Sequence, residues 1–169
     1  MKYILGVSGY FHDSSVCLLK KGQLIEFVKE ESLTRIKGSR GFPFRALTFL
    51  VAKYGLDNDN IDHIAFYEKP LRGWAVTTYN SFAKPKRSFD LLRSQIKQFW
   101  SGPIHFASEV KKVIRIDENK LVFAPHHLSH ALTALAFVPP QLQNKELLHF
   151  VFDGVGDGNT TSIFKTQKN

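Results

Sequence analysis

The first 31 residues alternate short apolar runs with turn formers, a pattern that confines this part of the chain to strands joined by tight turns. Tyr3–Ser8 and Ser15–Lys20 flank the turn-rich segment from Gly9 to Ser14. Lys21-Gly22 is a hairpin signal, and Leu24–Glu30 then alternates apolar and polar residues as a half-buried strand does. An antiparallel three-stranded meander is the economical arrangement.

The pattern then changes period. A loop rich in Lys, Arg, Gly and Ser over 35–41 leads to Phe42-Pro43, and Pro43 suits the first turn of a helix. Leu47, Leu50, Val51 and Tyr54 recur at helical spacing until Gly55 stops the run, and His63–Tyr67 predicts the next strand. Helix, turn and strand in that order fit an α/β architecture, a mixed sheet with helices packed on it. Phe89–Trp100 and Phe106–Ile116 carry helical periodicity, whereas Trp74–Phe82 suits either a helix or an irregular insertion. Leu121–Ala124 predicts a short strand and His127–Phe137 a helix. The closing segment predicts a strand over Leu147–Phe152, a glycine-rich turn over Asp153–Asn159 and a strand over Thr160–Lys165. It repeats the plan of the opening hairpin. A lone hairpin is marginal in water, so this one calls for a third strand or a second lobe.

Composition narrows the classes of function. Fifteen Phe and two Trp supply the bulk for a core, and no stretch approaches the ~18 apolar residues of a membrane span. The apolar start Met1–Val7 is too short for a signal peptide and is interrupted at once by polar residues. Cys17 is the single cysteine, which excludes an internal disulfide and suits a reducing compartment; a cytoplasmic location is the expectation. The net charge of +8 includes a denser basic stretch, Lys84-Pro-Lys-Arg87 with Arg93 and Lys97. Such a stretch can hold nucleic acid or small anions, but a solvated helix face is the plainer reading. No aromatic RNA-recognition signature accompanies it, so a nucleic-acid partner is not expected.

Four segments concentrate reactive side chains. In Pro125-His126-His127-Leu128-Ser129-His130-Ala131, His126 and His130 fall one helical turn apart, an arrangement that serves metal, and Asp153 at the end of the next strand offers a third ligand. Histidines bonded to backbone at a helix start are the plain alternative. Asp153-Gly154-Val155-Gly156-Asp157-Gly158 lets backbone N–H groups approach a phosphate, although a simple hairpin turn reads similarly. His12 sits in a turn beside Asp13, Ser14 and Ser15, where an imidazole titrating near neutrality can meet a ligand or merely decorate a polar turn. Arg35 and Lys37 follow Glu30-Glu31 at a strand end, able to bind phosphate or to form a solvated charged edge.

Taken in order, Ile4–Ser15 with His12, Glu30-Glu31 with Thr34-Arg35-Ile36-Lys37, Gly41-Phe42-Pro43, His126–Ala131 and Asp153–Asp157 resemble the O-carbamoyltransferases of nodulation factors and antibiotics. The resemblance runs through essentially the whole chain and is least distinctive over 70–120. It implies an actin/Hsp70-like (ASKHA) ATPase-type lobe over residues 1–146 and the opening hairpin of a second lobe over 147–169. The family's C-terminal domain, which converts carbamoyl phosphate and ATP to carbamoyl-adenylate, would lie outside the chain. This lobe would pass the carbamoyl group to a hydroxyl of a small molecule or sugar, a biosynthetic transferase reaction. By the same resemblance His126, His130 and Asp153 would be ligands of a divalent metal, iron first and zinc or manganese as alternatives. His12 and Lys37 would be catalytic, while Arg35, Gly154, Gly156 and Asp157 would meet the nucleotide or its phosphates. The chain alone is expected to be inactive, needing the C-terminal portion or a partner chain. Two rival readings are a tRNA threonylcarbamoyl-transfer protein, which shares the His-x-x-x-His pair, and a non-catalytic module that kept the fold.

Overall fold

The computed structural model describes residues 2–70, 75, 79, 102–142, 144–156 and 158–166. The helix predicted over Phe89–Trp100, the basic stretch from Lys84 to Lys97, Asp157 and, apart from Ala75 and Tyr79, the segment Trp74–Phe82 read as a helix or an irregular insertion lie outside them.

The expected meander is present. Strands β1 (Tyr3–Ser8), β2 (Ser15–Lys20) and β3 (Gln23–Lys29) pair antiparallel in sequence order. Lys21 and Gly22 alone separate β2 from β3, and both take positive φ, 54° and 74°, as a tight hairpin turn with native twist requires. β4 (Ile61–Phe66) and β5 (Leu121–Phe123) then join parallel to β1, giving a mixed five-stranded sheet of order β3-β2-β1-β4-β5.

Between β3 and β4 the chain departs from the sequence expectation. Arg35 and Lys37 do not extend a strand end, because a short helix, α1 (Glu30–Thr34), intervenes and closes with Arg35 in the left-handed region at φ 61°. The buried Glu30 explains this turn. Its N–H donates to the Ser14 carbonyl, and its carboxylate accepts the N–H groups of Arg45 and Ala46 at 3.1 and 2.8 Å. These belong to the first turn of α2 (Phe44–Tyr54), whose N-cap is Pro43, a residue with no side-chain acceptor. Glu30 therefore satisfies from a distance two donors that the helix start leaves open. Pro43 thus stands one position ahead of the first turn. Gly55 ends α2 at φ 56°, as its expected stop position requires.

The core lies on one face of this sheet. Leu5, Val7, Val16, Leu18, Ile64 and Phe66, alternating along their strands, meet Ala46, Leu47 and Leu50 of α2 and Phe106 and Val110 of α3 (Phe106–Val113). Phe66 and Phe106 are essentially inaccessible, with ring centroids 4.6 Å apart, and Phe42 and Phe123 pack edge-on to Phe106. α3 is shorter than predicted, since the chain extends from Ile114.

The elements up to β5 form one compact unit, and a second unit contains α4 (His126–Ala136), β6 (Leu148–Gly156) and β7 (Asn159–Lys165). In the second, β6 and β7 form an antiparallel hairpin with a register shift between Phe152 and Gly156. β6 runs to Gly156 instead of ending at Phe152, so the glycine-rich turn is narrower than the sequence suggests. The register shift allows this, as a bulge accommodates extra residues without ending the strand. α4 packs on the hairpin through its buried pair His127 and Ala131. Among the described residues no helix is long and apolar enough to cross a membrane.

Candidate functional site

Pro125, extended at the N-cap, starts α4 so that His126 is its first residue, and 3.6 residues per turn bring His130 directly above it. The hairpin then presents Asp153. His126 Nε2 lies 2.9 Å from Asp153 Oδ2 and 3.1 Å from His130 Nε2, and His130 Nε2 is 3.8 Å from the same carboxylate oxygen. One ligand atom from each of the three residues falls within 4.8 Å of the others. Asp153 Oδ1 accepts the Gly154 N–H at 2.7 Å, which leaves Oδ2 directed at the imidazoles. Burial pushes the Asp153 carboxyl up, but the Gly154 N–H and the neighbouring His126 and His130 outweigh it and hold the carboxyl below its usual range. Two imidazole nitrogens and an ionised carboxylate are a donor set that suits a divalent first-row metal. The side chains remain partly open, His130 at 54% and Asp153 at 32% exposure, which leaves room for further ligands from outside.

The first unit carries the other predicted site residues. His12 is exposed, with Nδ1 2.9 Å from Asp13 Oδ2 and its ring against Phe11. A proton on Nδ1 donated to that carboxylate leaves Nε2 as the acceptor facing solvent. The turn holding His12 is a strained one: Tyr10 and Asp13 both have positive φ, 71° and 53°. Its neighbours hold it there. The Ser14 hydroxyl donates to the carbonyls of Ser39 and Gly41, the Ser14 N–H donates to Ser39, and the Tyr10 N–H donates to Gly41. The Tyr10 ring packs on Phe42 and Phe66, and its hydroxyl donates to Glu109 of α3. Burial, with the Glu109 carboxylate beside it, pushes the Tyr10 phenol far above its usual range.

Those hydrogen bonds pin the His12 turn to the loop of residues 35–43. Lys37 and Arg35 sit exposed on that loop, and the Gly38 N–H donates to Glu31 at 3.0 Å. His12 and Lys37 are thus carried on two loops fastened to each other, while His126, His130 and Asp153 converge in the second unit.

Residues 3–169 match the family model described as carbamoyltransferase N-terminus. The chain belongs to that family. An uncharacterised protein of Synechocystis sp., sll1178, is 35% identical over the whole of this chain, which spans 28% of that relative's length. The nodulation protein NolNO of Sinorhizobium fredii is 29% identical over 88% of this chain and 20% of its own length. The chain therefore corresponds to a quarter or so of these curated relatives.

Within this carbamoyltransferase N-terminal chain, the two glycines predicted to meet phosphate differ. A side chain at Gly154 would stand in open space, so that position is free for a close approach. At Gly156 a Cβ would collide with the rings of His126 and His127, so the glycine there makes room for imidazoles. Sequence reasoning missed Tyr10, Ser14 and Glu109, which hold the His12 turn, and the tie between His127 and Ser162. An aromatic in a polar turn was the available sign for Tyr10. The others lie 25 or more residues from their partners, where spacing carries no signal.

Proposed function

We propose that this chain forms the transfer portion of an O-carbamoyltransferase, comprising the first lobe of an ASKHA-type module over 1–146 and the opening hairpin of a second over 147–169. The mixed five-stranded sheet and the repeated strand–turn–strand plan of β6 and β7 support that reading, together with the family membership. The single observation that carries the chemistry is the convergence of His126, His130 and Asp153 on one point.

In this reading a C-terminal domain makes carbamoyl-adenylate from carbamoyl phosphate and ATP, and this portion transfers the carbamoyl group to a hydroxyl of a small molecule or sugar. His126, His130 and Asp153 hold a divalent ion, iron foremost, which when bound supplies Lewis-acid polarisation of a carbonyl or phosphoryl oxygen. His12, aligned by Asp13, accepts the proton of the attacking hydroxyl through Nε2. The hydroxyl oxygen bonds to the carbamoyl carbon, the bond from that carbon to the phosphate oxygen breaks, and AMP leaves. Lys37 and Arg35 bind anionic oxygens of the intermediate, Arg35 through its planar fork and Lys37 as a point charge. Gly154 provides backbone that a phosphate can reach closely, and Asp157 would meet the nucleotide or its phosphates. A reducing cytoplasmic setting accords with a single cysteine.

Elemental analysis of the purified chain beside a His126→Ala/His130→Ala variant tests the site. Near-stoichiometric iron, zinc or manganese, absent from the variant, is the expected result. A well-folded protein that takes up no metal would remove the metal from the mechanism. For the transfer step, a full-length protein carrying His12→Ala should form carbamoyl-adenylate at the normal rate and fail to pass it on. Normal transfer by that variant would remove His12 from its role.

A further inference from the structure

Three histidines lie within five residues of one another, and only two of them face Asp153. His127 is 4% exposed, and its Nδ1 lies 2.6 Å from the Ser162 hydroxyl of β7. Its Nε2 is buried without a partner among the described residues. The nitrogen bonded to Ser162 is unavailable to a metal, and the ring forms a buried stripe with Ala131, one residue round from the His126/His130 pair. Beneath it lies Gly156 of β6. A Cβ there would come 2.7 Å from His127 Cδ2 and nearer still to His126 Cδ2, closer than real Cβ atoms approach.

The two contacts act on one degree of freedom. A helix resting on a hairpin through small residues such as Ala131 can roll about its axis, and each roll swings His126 and His130 together relative to Asp153. The hydrogen bond to Ser162 holds the roll from the β7 side. The bare Cα of Gly156 lets the two imidazoles settle at the depth where His126 reaches the carboxylate at 2.9 Å. Outer partners of this kind orient ligands and tune affinity without touching the ion.

We propose that His127, through Ser162, and Gly156 are positioning residues that set the roll and depth of α4, and thereby aim His126 and His130 at Asp153. The proposal rests on the metal reading given above and deepens it. It also assigns Gly156 to packing of the histidine rings, in place of contact with a phosphate.

The test is titration of the metal-stripped chain with Co²⁺, following the visible absorption of the bound ion and its Kd by calorimetry. Far-UV circular dichroism and the thermal midpoint of the metal-free form are measured alongside. Ser162→Ala and Gly156→Ala should each weaken Co²⁺ binding by roughly 10- to 100-fold while the metal-free protein stays folded. Ser162→Thr, which keeps the hydroxyl, should restore binding to near the unmodified level. If Gly156→Ala fails to fold, Ser162→Ala decides alone, since it removes one oxygen and adds nothing. Undiminished Co²⁺ affinity in a folded Ser162→Ala overturns the proposal while the metal reading stands. A chain that binds no Co²⁺ before any substitution overturns both, and the unmodified protein alone shows it.

Discussion

The carboxylate of Glu30 accepts the backbone N–H of Ala46 at 2.8 Å, so a residue of α1 caps the start of α2 across sixteen positions of sequence. With the parallel bond from Arg45, one buried side chain satisfies two of the N–H groups that lack an intrahelical partner at that helix end, and its negative charge faces the positive end of the helix. Glu30→Ala should lower stability by about 2–3 kcal/mol, as charge-assisted bonds to buried donors are worth. Glu30→Gln, which keeps shape and one acceptor, should cost less. Urea denaturation of the three proteins gives the comparison, and equal midpoints would refute the capping role.

Tyr10 ties the turn that carries His12 to α3, and this tie predicts a pH dependence. The folded phenol titrates above its ordinary value of 10.0, chiefly because it is buried and also because it donates to Glu109. The unfolded chain releases that proton near pH 10 while the folded chain retains it, so the contribution is complete below pH 10 and is lost as pH rises beyond it. Urea midpoints measured at pH 8 and pH 11 should fall more steeply for the unmodified protein than for Tyr10→Phe. At pH 8 the variant itself should be destabilised by about 1 kcal/mol. Parallel pH profiles would contradict the assignment.

Asp153→Asn keeps the size of the side chain and its bond from Gly154 while removing the charge that faces the two imidazoles. Zinc affinity should fall by more than the roughly 10- to 100-fold typical of losing an outer partner. The hairpin pairs through backbone groups, so circular dichroism should hardly change. Zinc binding at full strength in this variant would exclude Asp153 as a ligand.

Phe106 is fully buried where α3 meets the sheet, in contact with Phe42, Phe66 and Phe123. Phe106→Ala should cost about 3–5 kcal/mol, because four interlocked rings collapse poorly around a void. A loss under 1 kcal/mol in chemical denaturation would mean that the cavity closes.

The meander, α2 and both strands of the closing hairpin were legible because each rests on local rules: alternation along a strand, a two-residue turn at Lys21-Gly22, a helical stripe ended by Gly55. α1 was not legible. Its five residues carry too little periodicity to register, and what fixes it is a carboxylate reaching α2. The length of β6 was misjudged because Asp153 and Gly154 are turn formers by composition, and only the bulged pairing with β7 keeps them in a strand.

By itself the sequence determined which side chains share a helix face or an exposed turn. Four-residue spacing put His126 and His130 on one helix face, and a polar turn between two apolar runs put His12 where a ligand can reach it. Tertiary structure decided how closely Asp153 meets that pair, why position 156 must be glycine, and what holds the strained turn at His12. The physical reason is one of range. Helical and strand periods act over a few residues, whereas the contacts of His127 with Ser162, Ser14 with Gly41 and Tyr10 with Glu109 join residues 35, 27 and 99 positions apart and exist only once the chain has folded.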